Sequence, residues 1–531
     1  MNSPAPAPRF ADVHLTKMYG ELGIAREYVR ASGNTLWYRD EDGSEVAVLD
    51  YVGGFGSLLL GHNNPDIVAH ARKLLDEQRP VLTLWLGHSH ADKLATALNT
   101  IVQRELGTDE PHYAIFASTG AEGVEVAIKH SELERQARIT ELYTAVDTHV
   151  EAARAAVASG SATVPDAARA AAGLPSGGDA SGSAAFAELA EALHRRNEER
   201  RATAPLFLAL ERAFHGKLTS SIQLTYNPMF RGPFSSLSAQ ARFLSADDPS
   251  QIRKAVEKER VPVLDLVVEG GEVRVVERDF PVFGGFFLEP IRGEAGIRPV
   301  SAEYAAEVQR VCEETGIPVI VDEVQSGMGR TGAFFAASQI GLRGDYYILA
   351  KSLGGGLAKS AAVLIRESRY QKDLELIHSS TFAKDTFSTL IALRTLELME
   401  EDGGRGYRLA TERGERLTAM LEGVKADFPD IAAEVRGRGL MLGFELHGRP
   451  DSPAPLIREL SESGSLGYLV SAYLLREHHI RVLPTASSGL TLRLEPSIQL
   501  TDEEIDRMEA GLRGAFALLR ADDEPALKGE E

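Results

Sequence analysis

Two charged side chains follow neighbouring apolar segments of the sequence and could act together in a reaction. Asp322 follows the apolar run 317–321, and Lys351 follows the run 346–350. Each run has the length and composition of a buried strand, so each charged residue should lie where the chain leaves a sheet. Ligands of open α/β sheets bind beyond the carboxyl ends of the strands, so this pair indicates a ligand-binding site at which a reaction could occur.

A lysine and a carboxylate at adjacent strand ends are the pair that a pyridoxal phosphate (PLP) site requires. The lysine amine can form a Schiff base, and the carboxylate can face the pyridinium nitrogen. The alternative is a structural ion pair between Asp322 and Lys351. The glycines that flank both segments and the motifs described below favour the cofactor site, because an ion pair alone would not need them.

The segment 115–129 has the pattern of a strand, a turn of small residues and a helix. The first N–H groups of such a helix have no partners within it, and its dipole is positive there, so the turn could bind a phosphate. Gly120 and Ala121 would let the phosphate approach the backbone. The alternative is an ordinary capped helix, with Ser118 or Thr119 at the cap and Glu122 in the first turn.

Further candidate side chains lie at the ends of two other predicted strands. Phe214 and His215 precede a glycine at one strand end. A flat ring there could stack on a cofactor, although packing in the core is the alternative. Glu289, Arg292 and Glu294 cluster after the other strand, where solvated loop charges are the alternative to a binding role.

Composition limits the class of protein. The chain has 531 residues, 44% of them hydrophobic and 25% charged, so it should bury a large core and form two or more domains. A net charge of −20 argues against nucleic acid or an anionic membrane surface as the main partner. The single cysteine, Cys312, excludes an intramolecular disulfide. With no signal peptide or membrane span predicted, we expect a cytoplasmic protein. No metal site is predicted.

Hydrophobic periodicity and changes in composition divide the chain into segments. The segment 131–204 is rich in alanine and charge and interrupts the rest. It is predicted to be an insertion of two surface helices joined by a flexible loop, serving as solvated decoration or an oligomer contact. The predicted segments are a mobile tail over 1–13, a first part of a small domain over 14–85, a large cofactor-binding domain over 86–370 that contains the insertion, the second part of the small domain over 371–520, and a mobile tail over 521–531.

The motifs, taken together and in order, resemble the class III pyridoxal-phosphate aminotransferases, the group of ornithine, acetylornithine and 4-aminobutyrate transaminases. The resemblance runs from about Gly33 to about Asp506, with the insertion as an interruption. The motifs that carry it are Gly61-His-Asn-Asn-Pro65, Ser118-Thr-Gly-Ala-Glu122, Phe214-His-Gly216, Glu289-Pro-Ile-Arg-Gly-Glu-Ala-Gly296, Val321-Asp-Glu-Val-Gln-Ser-Gly-Met-Gly-Arg-Thr-Gly332 and Ala350-Lys-Ser-Leu-Gly-Gly-Gly356.

The resemblance implies an α/β fold of the aspartate-aminotransferase type (fold type I). In this fold a large domain with a mostly parallel seven-stranded sheet is joined by a smaller α+β domain built from both chain ends. The family also implies a homodimer with shared active sites.

The resemblance further implies a role for each matching residue. Lys351 would carry the cofactor as a Schiff base and then move the proton of the reaction, while Asp322 would keep the pyridine nitrogen protonated. Arg493 would clamp a substrate carboxylate, and Glu294 would pair with Arg493 when an ω-amine is bound. The other cofactor contacts would come from Thr119, Gly120, Ala121, Phe214, His215, Val324 and Gln325, and from Thr381 of the partner subunit.

Three departures from the family pattern bear on the substrate. Arg292 stands where glutamine is usual, which adds a positive charge near the predicted substrate mouth and suggests an acidic substrate. Phe55 stands where ornithine-type enzymes have tyrosine, so ornithine itself is disfavoured. The loop around Lys384 lacks the usual glycine, asparagine and proline, so the wall contributed by the partner subunit should differ.

The sequence thus predicts a dimeric PLP-dependent aminotransferase. It would exchange an amino group between an amine or amino acid and a keto acid by ping-pong chemistry, with 2-oxoglutarate as the favoured acceptor. A decarboxylase, an epimerase or an aminomutase of the same fold is the alternative, because the same lysine and aspartate serve all of these reactions. A non-catalytic binding module is disfavoured by the presence of Lys351.

Overall fold

The computed structural model of the chain describes residues 11–82, 89–175, 182–237 and 239–530. Its strands are Tyr28–Ser32 (β1), Thr35–Arg39 (β2), Glu45–Asp50 (β3), His112–Ala117 (β4), Leu206–Leu210 (β5), Gln240–Leu244 (β6), Pro262–Glu269 (β7), Glu272–Asp279 (β8), Phe283–Leu288 (β9), Ile291–Arg292 (β10), Arg298–Pro299 (β11), Val319–Asp322 (β12), Tyr346–Leu349 (β13), Ala361–Arg366 (β14), Ala432–Arg438 (β15), Met441–Leu446 (β16), Ile480–Arg481 (β17), Leu483–Thr485 (β18) and Ser488–Leu494 (β19).

Helices cover the sheets that these strands form. They are Val13–Glu21 (α1), Gly53–Gly56 (α2), Pro65–Asp76 (α3), Ser89–Leu106 (α4), Gly120–Ala158 (α5), Asp166–Ala171 (α6), Ser183–Arg201 (α7), Ser221–Leu224 (α8), Pro228–Arg231 (α9), Ser250–Lys258 (α10), Ala302–Thr315 (α11), Leu374–Ile377 (α12), Thr386–Asp427 (α13), Pro455–Glu462 (α14), Leu466–His478 (α15), Asp502–Arg520 (α16) and Glu524–Lys528 (α17). Short 3-10 turns are found at Gly232–Phe234, Ala337–Ile340, Lys351–Gly354 and Glu367–Arg369.

A seven-stranded sheet forms the centre of the described residues, in the order β4-β14-β13-β12-β9-β5-β6. The strand β14 is antiparallel to both of its neighbours, and the other paired strands are parallel. Strands β12 and β13 are buried along their whole length, which explains their continuous apolar sequences. The predicted α/β fold with a mostly parallel seven-stranded sheet is confirmed.

Two four-stranded sheets lie outside this centre. One has the order β1-β2-β3-β17, and the other has the order β15-β16-β19-β18. The first sheet contains strands from both ends of the chain, because β17 pairs in parallel with β3 and aligns Ile480 with Leu49. This pairing is the element that joins the two segments assigned to the small domain. The exact domain boundaries stay a prediction.

The segment predicted as an insertion is packed against the hairpin of β7 and β8. Helix α5 begins at the phosphate turn and continues without a break into this segment. The carboxylate of Asp265 in β7 is buried, and it contacts His149 Nδ1 at 2.9 Å and Arg278 Nε at 3.0 Å. Asn197 in α7 exchanges two hydrogen bonds with the backbone of Leu264. The segment is therefore fixed to this hairpin by buried polar contacts.

Two predicted mobile regions differ from what the structure shows. The loop predicted between the insertion helices contains α6, and its residues 176–181 lie outside the described part of the chain. The tail predicted over 521–531 contains α17, whose Leu527 is fully buried. Glu524 in this helix accepts a hydrogen bond from the N–H of Leu456 at 2.8 Å. One apolar residue amid charges gives little sequence signal, although it is enough to dock a single helical turn.

The helices can also be compared with the dimensions of a membrane. In the described ranges, no helix combines the length and the apolar character that crossing a lipid bilayer requires.

We expect Asp265→Ala to lower the free energy of unfolding by about 1–2 kcal/mol, because His149 and Arg278 lose a buried acceptor while both remain partly solvated. Thermal and urea unfolding followed by circular dichroism measures the change. Asp147→Ala removes an exposed carboxylate from the same helix as His149 and should have no effect. Equal stability of the two variants would contradict a fixing role for Asp265.

Candidate active site

The register of β12 and β13 brings the predicted lysine and aspartate to one edge of the sheet. Asp322, the last residue of β12, is aligned with Ile348 of β13, and Lys351 follows three residues later. Lys351 opens a 3-10 turn with a φ of +48°. Burial lowers the pKa of its amine, and the nearby charges of Glu495 and Glu294 oppose that shift without cancelling it. Burial therefore increases the fraction of neutral, nucleophilic amine near pH 7.

The carboxylate of Asp322 is held in place by two contacts. Its Oδ2 lies 2.8 Å from Nδ1 of His215, and its Oδ1 accepts the N–H of Val324 at 3.0 Å. Burial lowers the pKa of His215, but the hydrogen bond and charge of Asp322 outweigh burial, so the pKa is raised. His215 was predicted to contact the cofactor; the structure places it buried against Asp322 and the ring of Phe287, a position that suits orienting Asp322.

Glu289 is a structural member of the site; the sequence indicated it only as one of a charged cluster with Arg292 and Glu294. Its Oε2 accepts the N–H of Phe214 at 2.9 Å, and its Oε1 accepts the N–H of Gly293 at 3.1 Å. Burial raises its pKa to about 7. One carboxyl group thus ties the turn that carries Phe214 to the turn that carries Glu294. The side chain of Phe214 is half-buried, as a ring at the edge of a site should be.

The strand-to-helix turn is both a capped helix start and a possible phosphate site. Thr119 caps α5 by accepting the N–H of Glu122, and the Glu122 carboxylate accepts the N–H of Thr119. This capping box satisfies the N-cap and the third helical position. The N–H groups of Gly120 and Ala121, at the first and second positions, have no partner within the helix and are available to an anion.

The phosphate turn is pressed against the neighbouring strand ends. A Cβ atom on Gly120 would lie 2.7 Å from Cγ1 of Val324, and a Cβ atom on Gly216 would lie 2.7 Å from Cβ of Ala121. Only glycine therefore allows both approaches. The contact places Val324, which follows Asp322 by two residues, directly beside the open N–H groups of the turn.

Gln325 contacts a buried glutamate that the sequence analysis did not single out. Its Nε2 donates to Oε1 of Glu495 at 2.7 Å. Glu495 is fully buried, and within the described residues its Oε2 has no hydrogen-bond partner. Glu495 follows the predicted clamp Arg493 by two residues, and its charge acts on Lys351. A single glutamate beside a strand carried no sequence pattern that would have identified it.

Three of the four predicted substrate residues lie together. Nη2 of Arg493 donates to Oε1 of Glu294 at 2.6 Å, and Oε2 of Glu294 accepts the N–H of Ala486 at 2.8 Å. Burial raises the pKa of Glu294, but the charge and hydrogen bond of Arg493 outweigh it, so the pKa is lowered. The guanidinium carbon of Arg493 lies 5.1 Å from the ring centre of Phe55. Both charges of the pair also act on Lys351.

Two predicted residues are not part of this group. Arg292 is buried, and its Nη1 donates to the carbonyl of Glu211 at 3.1 Å. Its guanidinium is therefore turned into the protein, and the prediction that it adds a charge at the substrate mouth is wrong. Thr381 lies exposed in a turn, as does Lys384. The role predicted for Thr381 requires a partner subunit and stays a prediction.

The residues present fit PLP in their chemistry. Lys351 offers an amine whose pKa is lowered, Asp322 a fixed carboxylate, and the turn at Gly120 two open N–H groups for a phosphate, with Val324 between the carboxylate and the turn. Because an ion pair between strand ends would need no phosphate turn, that alternative does not account for the arrangement.

Comparison with known proteins gives the same result. A family model described as aminotransferase class-III matches residues 19–508. The putrescine aminotransferase of Pectobacterium atrosepticum is 27% identical over 486 residues, which cover 90% of this chain and 80% of that protein. The family match spans the phosphate turn, Asp322, Lys351 and Arg493.

Solved structures share the fold. An amine transaminase from an uncultivated Pseudomonas species, in a PLP-bound form, has a TM-score of 0.66 at 20% identity and covers 97% of this chain and 98% of that chain. The adenosylmethionine-8-amino-7-oxononanoate aminotransferase of Methanocaldococcus jannaschii has a TM-score of 0.66 at 21% identity, covering 97% and 96%. The family match and the geometry of Lys351 and Asp322 agree, and the chain belongs to the class-III aminotransferases as a PLP-dependent transaminase.

Proposed function

We propose that this transaminase takes the amino group from a donor with a terminal amine and passes it to 2-oxoglutarate in a ping-pong exchange. The observation that carries the proposal is the 2.6 Å pair of Arg493 and Glu294 beside Lys351. An arginine that can either pair with a glutamate or clamp a carboxylate lets one site accept both substrates. The putrescine aminotransferase named above has a diamine substrate in its name, and a diamine is therefore one donor to test.

Each residue of the site has a separate role in the reaction. Bound PLP supplies an electron sink for the charge that remains when a proton leaves the substrate carbon. Lys351, whose pKa is lowered by burial, has an amine that can take up that proton and return it at another carbon. Asp322, oriented by His215, presents a fixed negative charge at the sheet edge. The N–H groups of Gly120 and Ala121 hold the phosphate.

The exchange of substrates rests on the movement of one guanidinium group. With a donor that lacks a carboxylate, Arg493 stays paired with Glu294. With 2-oxoglutarate, Arg493 turns to the carboxylate of the substrate, and Glu294 keeps the hydrogen bond from the N–H of Ala486. That backbone hydrogen bond lowers the free-energy cost of separating the pair, because the buried carboxylate retains a donor.

A homodimer is part of the proposal. The segment before and around Thr381 exposes large apolar side chains, with Leu376 at 88%, Ile377 at 63% and Phe382 at 59% of full exposure. An apolar patch of this kind is typical of a surface that contacts another protein. The contact predicted between Thr381 and the phosphate of a neighbouring subunit requires such a partner. A cytoplasmic location is also proposed, since one buried cysteine suits a reducing compartment.

Replacing the lysine tests the chemistry. Lys351→Ala should lower the turnover of every amine donor by at least about 10³-fold and remove the visible band of the lysine-bound cofactor. Stopped-flow absorbance and product assay measure both effects. Lys359→Ala, an exposed lysine eight residues away that lies outside the site, should keep the band and the rate. Turnover that persists in Lys351→Ala would contradict the role assigned to Lys351.

Two substitutions test the pair of Arg493 and Glu294 in opposite directions. Glu294→Gln leaves the charge of Arg493 uncompensated and should reduce kcat/KM for monoamine donors by about 10- to 100-fold, without raising the KM for the keto acid acceptor. Arg493→Gln should raise the KM for that acceptor by about 10- to 100-fold, because the clamp for its carboxylate is lost. Half-reactions measured separately give each value. Equal losses in both half-reactions for both variants would rule out a switch.

The dimer has its own test. Phe382→Asp places a charge in the apolar patch and should shift the protein from dimer to monomer in analytical ultracentrifugation, with loss of activity. Met229→Asp changes an apolar side chain that is 69% exposed elsewhere and should leave a dimer. A wild-type monomer with full activity would contradict the shared site.

A further inference from the structure

A cavity lies beside the pair of Arg493 and Glu294, and it has no role in the function described so far. Its volume is about 500 Å³, which is in the range of sites for small molecules. It opens between the turn that follows β5 and the C-terminal part of the chain. Its wall includes Arg212, Tyr226, Asn227, Tyr468, Ser487 and Ser488.

The cavity is adjacent to the active site through shared residues. Ala486 lines the cavity, and its N–H donates to Glu294 at 2.8 Å. The charges of Glu294 and Arg493 both act on the phenol of Tyr468. On the opposite wall, the N–H of Tyr226 donates at 2.9 Å to the carbonyl of Ala213, the residue before Phe214. The cavity and the group of Glu294 and Arg493 are therefore neighbours, with Ala486 and Tyr468 between them.

The two walls of the cavity belong to different parts of the fold and are joined by a direct contact. Nδ2 of Asn227 donates to Oγ of Ser487 at 3.0 Å. The remaining wall is rich in hydroxyl groups, among them those of Tyr226, Tyr468 and Ser488. Such a surface favours a polar ligand over an apolar chain.

Arg212 gives the cavity its charge. It is exposed and is the one charged residue among the described residues of the wall, and its side chain forms no ion pair or hydrogen bond within the described part of the chain. Its backbone has a φ of +61°, a left-handed conformation that costs a residue other than glycine roughly 1 kcal/mol. The backbone hydrogen bonds of Glu211 to Leu244 and of Ala213 to Leu210 enclose this position. An unpaired guanidinium at the wall of a polar cavity is a binding group for an anion.

We propose that this cavity binds the distal end of the amine donor and selects donors that end in a carboxylate, with Arg212 as the recognising group. The inference rests on the proposed function, because the donor must react at Lys351. A diamine would bring its second ammonium to Arg212 and would find no carboxylate in the cavity wall. The donor preference therefore departs from the diamine in the name of the relative from Pectobacterium.

Three donors of equal chain length test the proposal on the holoenzyme: 6-aminohexanoate, hexylamine and 1,6-diaminohexane. Single-turnover absorbance at the cofactor band gives kcat/KM for each. The wild type should prefer 6-aminohexanoate. Arg212→Gln should reduce kcat/KM for 6-aminohexanoate by about 10- to 100-fold and change the value for hexylamine by less than about twofold, since only the acid loses a charged partner. Arg212→Lys should restore part of the loss.

A matched control separates recognition from a general effect of charge. Arg405→Gln removes an exposed arginine that does not line the cavity and should leave all three donors unchanged. Identical donor preferences in Arg212→Gln and wild type would overturn the inference. A loss of kcat/KM for 6-aminohexanoate that occurs in Arg493→Gln but not in Arg212→Gln would also overturn it. A wild type that consumes no amine, glutamate included, would instead overturn the proposed function itself.

Discussion

The parallel pairing of β12 with β13 is the constraint on which the rest of the site depends. It places Asp322 at the same sheet edge as Lys351, and both strands are buried along their length. Charged groups at such an edge are costly unless other groups compensate them. His215 compensates Asp322 directly, and Glu495 and Glu294 lie close enough to act on Lys351. The surrounding polar residues can therefore be understood as the support that a buried carboxylate and a neighbouring amine require.

The supporting residues come from strand ends that are distant in the sequence. Glu289, at the end of β9, binds backbone N–H groups on both sides of it and so sets the spacing between the turns of Phe214 and Glu294. Gly120 and Gly216 allow the phosphate turn to approach two of these strand ends, because a Cβ atom at either position would overlap a neighbour. The position of each functional group is thus fixed by backbone contacts, which tolerate little displacement.

The sequence was sufficient for groups that lie within continuous motifs. The strand ends at Asp322 and Lys351 and the turn at Gly120 follow from local apolar runs and small residues, whose geometry is short-range. Glu495 was missed because its importance comes from contacts with Gln325 and Lys351, far away in the chain. Arg292 was placed near the correct turn, but the direction of its side chain depends on Glu211, which the motif does not contain. Helix α17 was missed because its docking depends on one apolar residue, Leu527.

In the function we propose, the pairing of Arg493 with Glu294 lets a single pocket serve two kinds of substrate. Near Lys351 lie the carboxylates of Glu294 and Glu495 and the guanidinium of Arg493, while Asp322 is paired with His215. A substrate carboxylate that entered the site without a cationic partner would bury an unpaired negative charge, which is strongly unfavourable. In that proposal the substrate carboxylate takes the place of Glu294, which keeps a hydrogen bond from a backbone N–H when Arg493 turns away. If Arg212 has the role proposed for it, a donor whose carboxylate lies farther along its chain avoids this exchange, because Arg212 binds that carboxylate in the cavity.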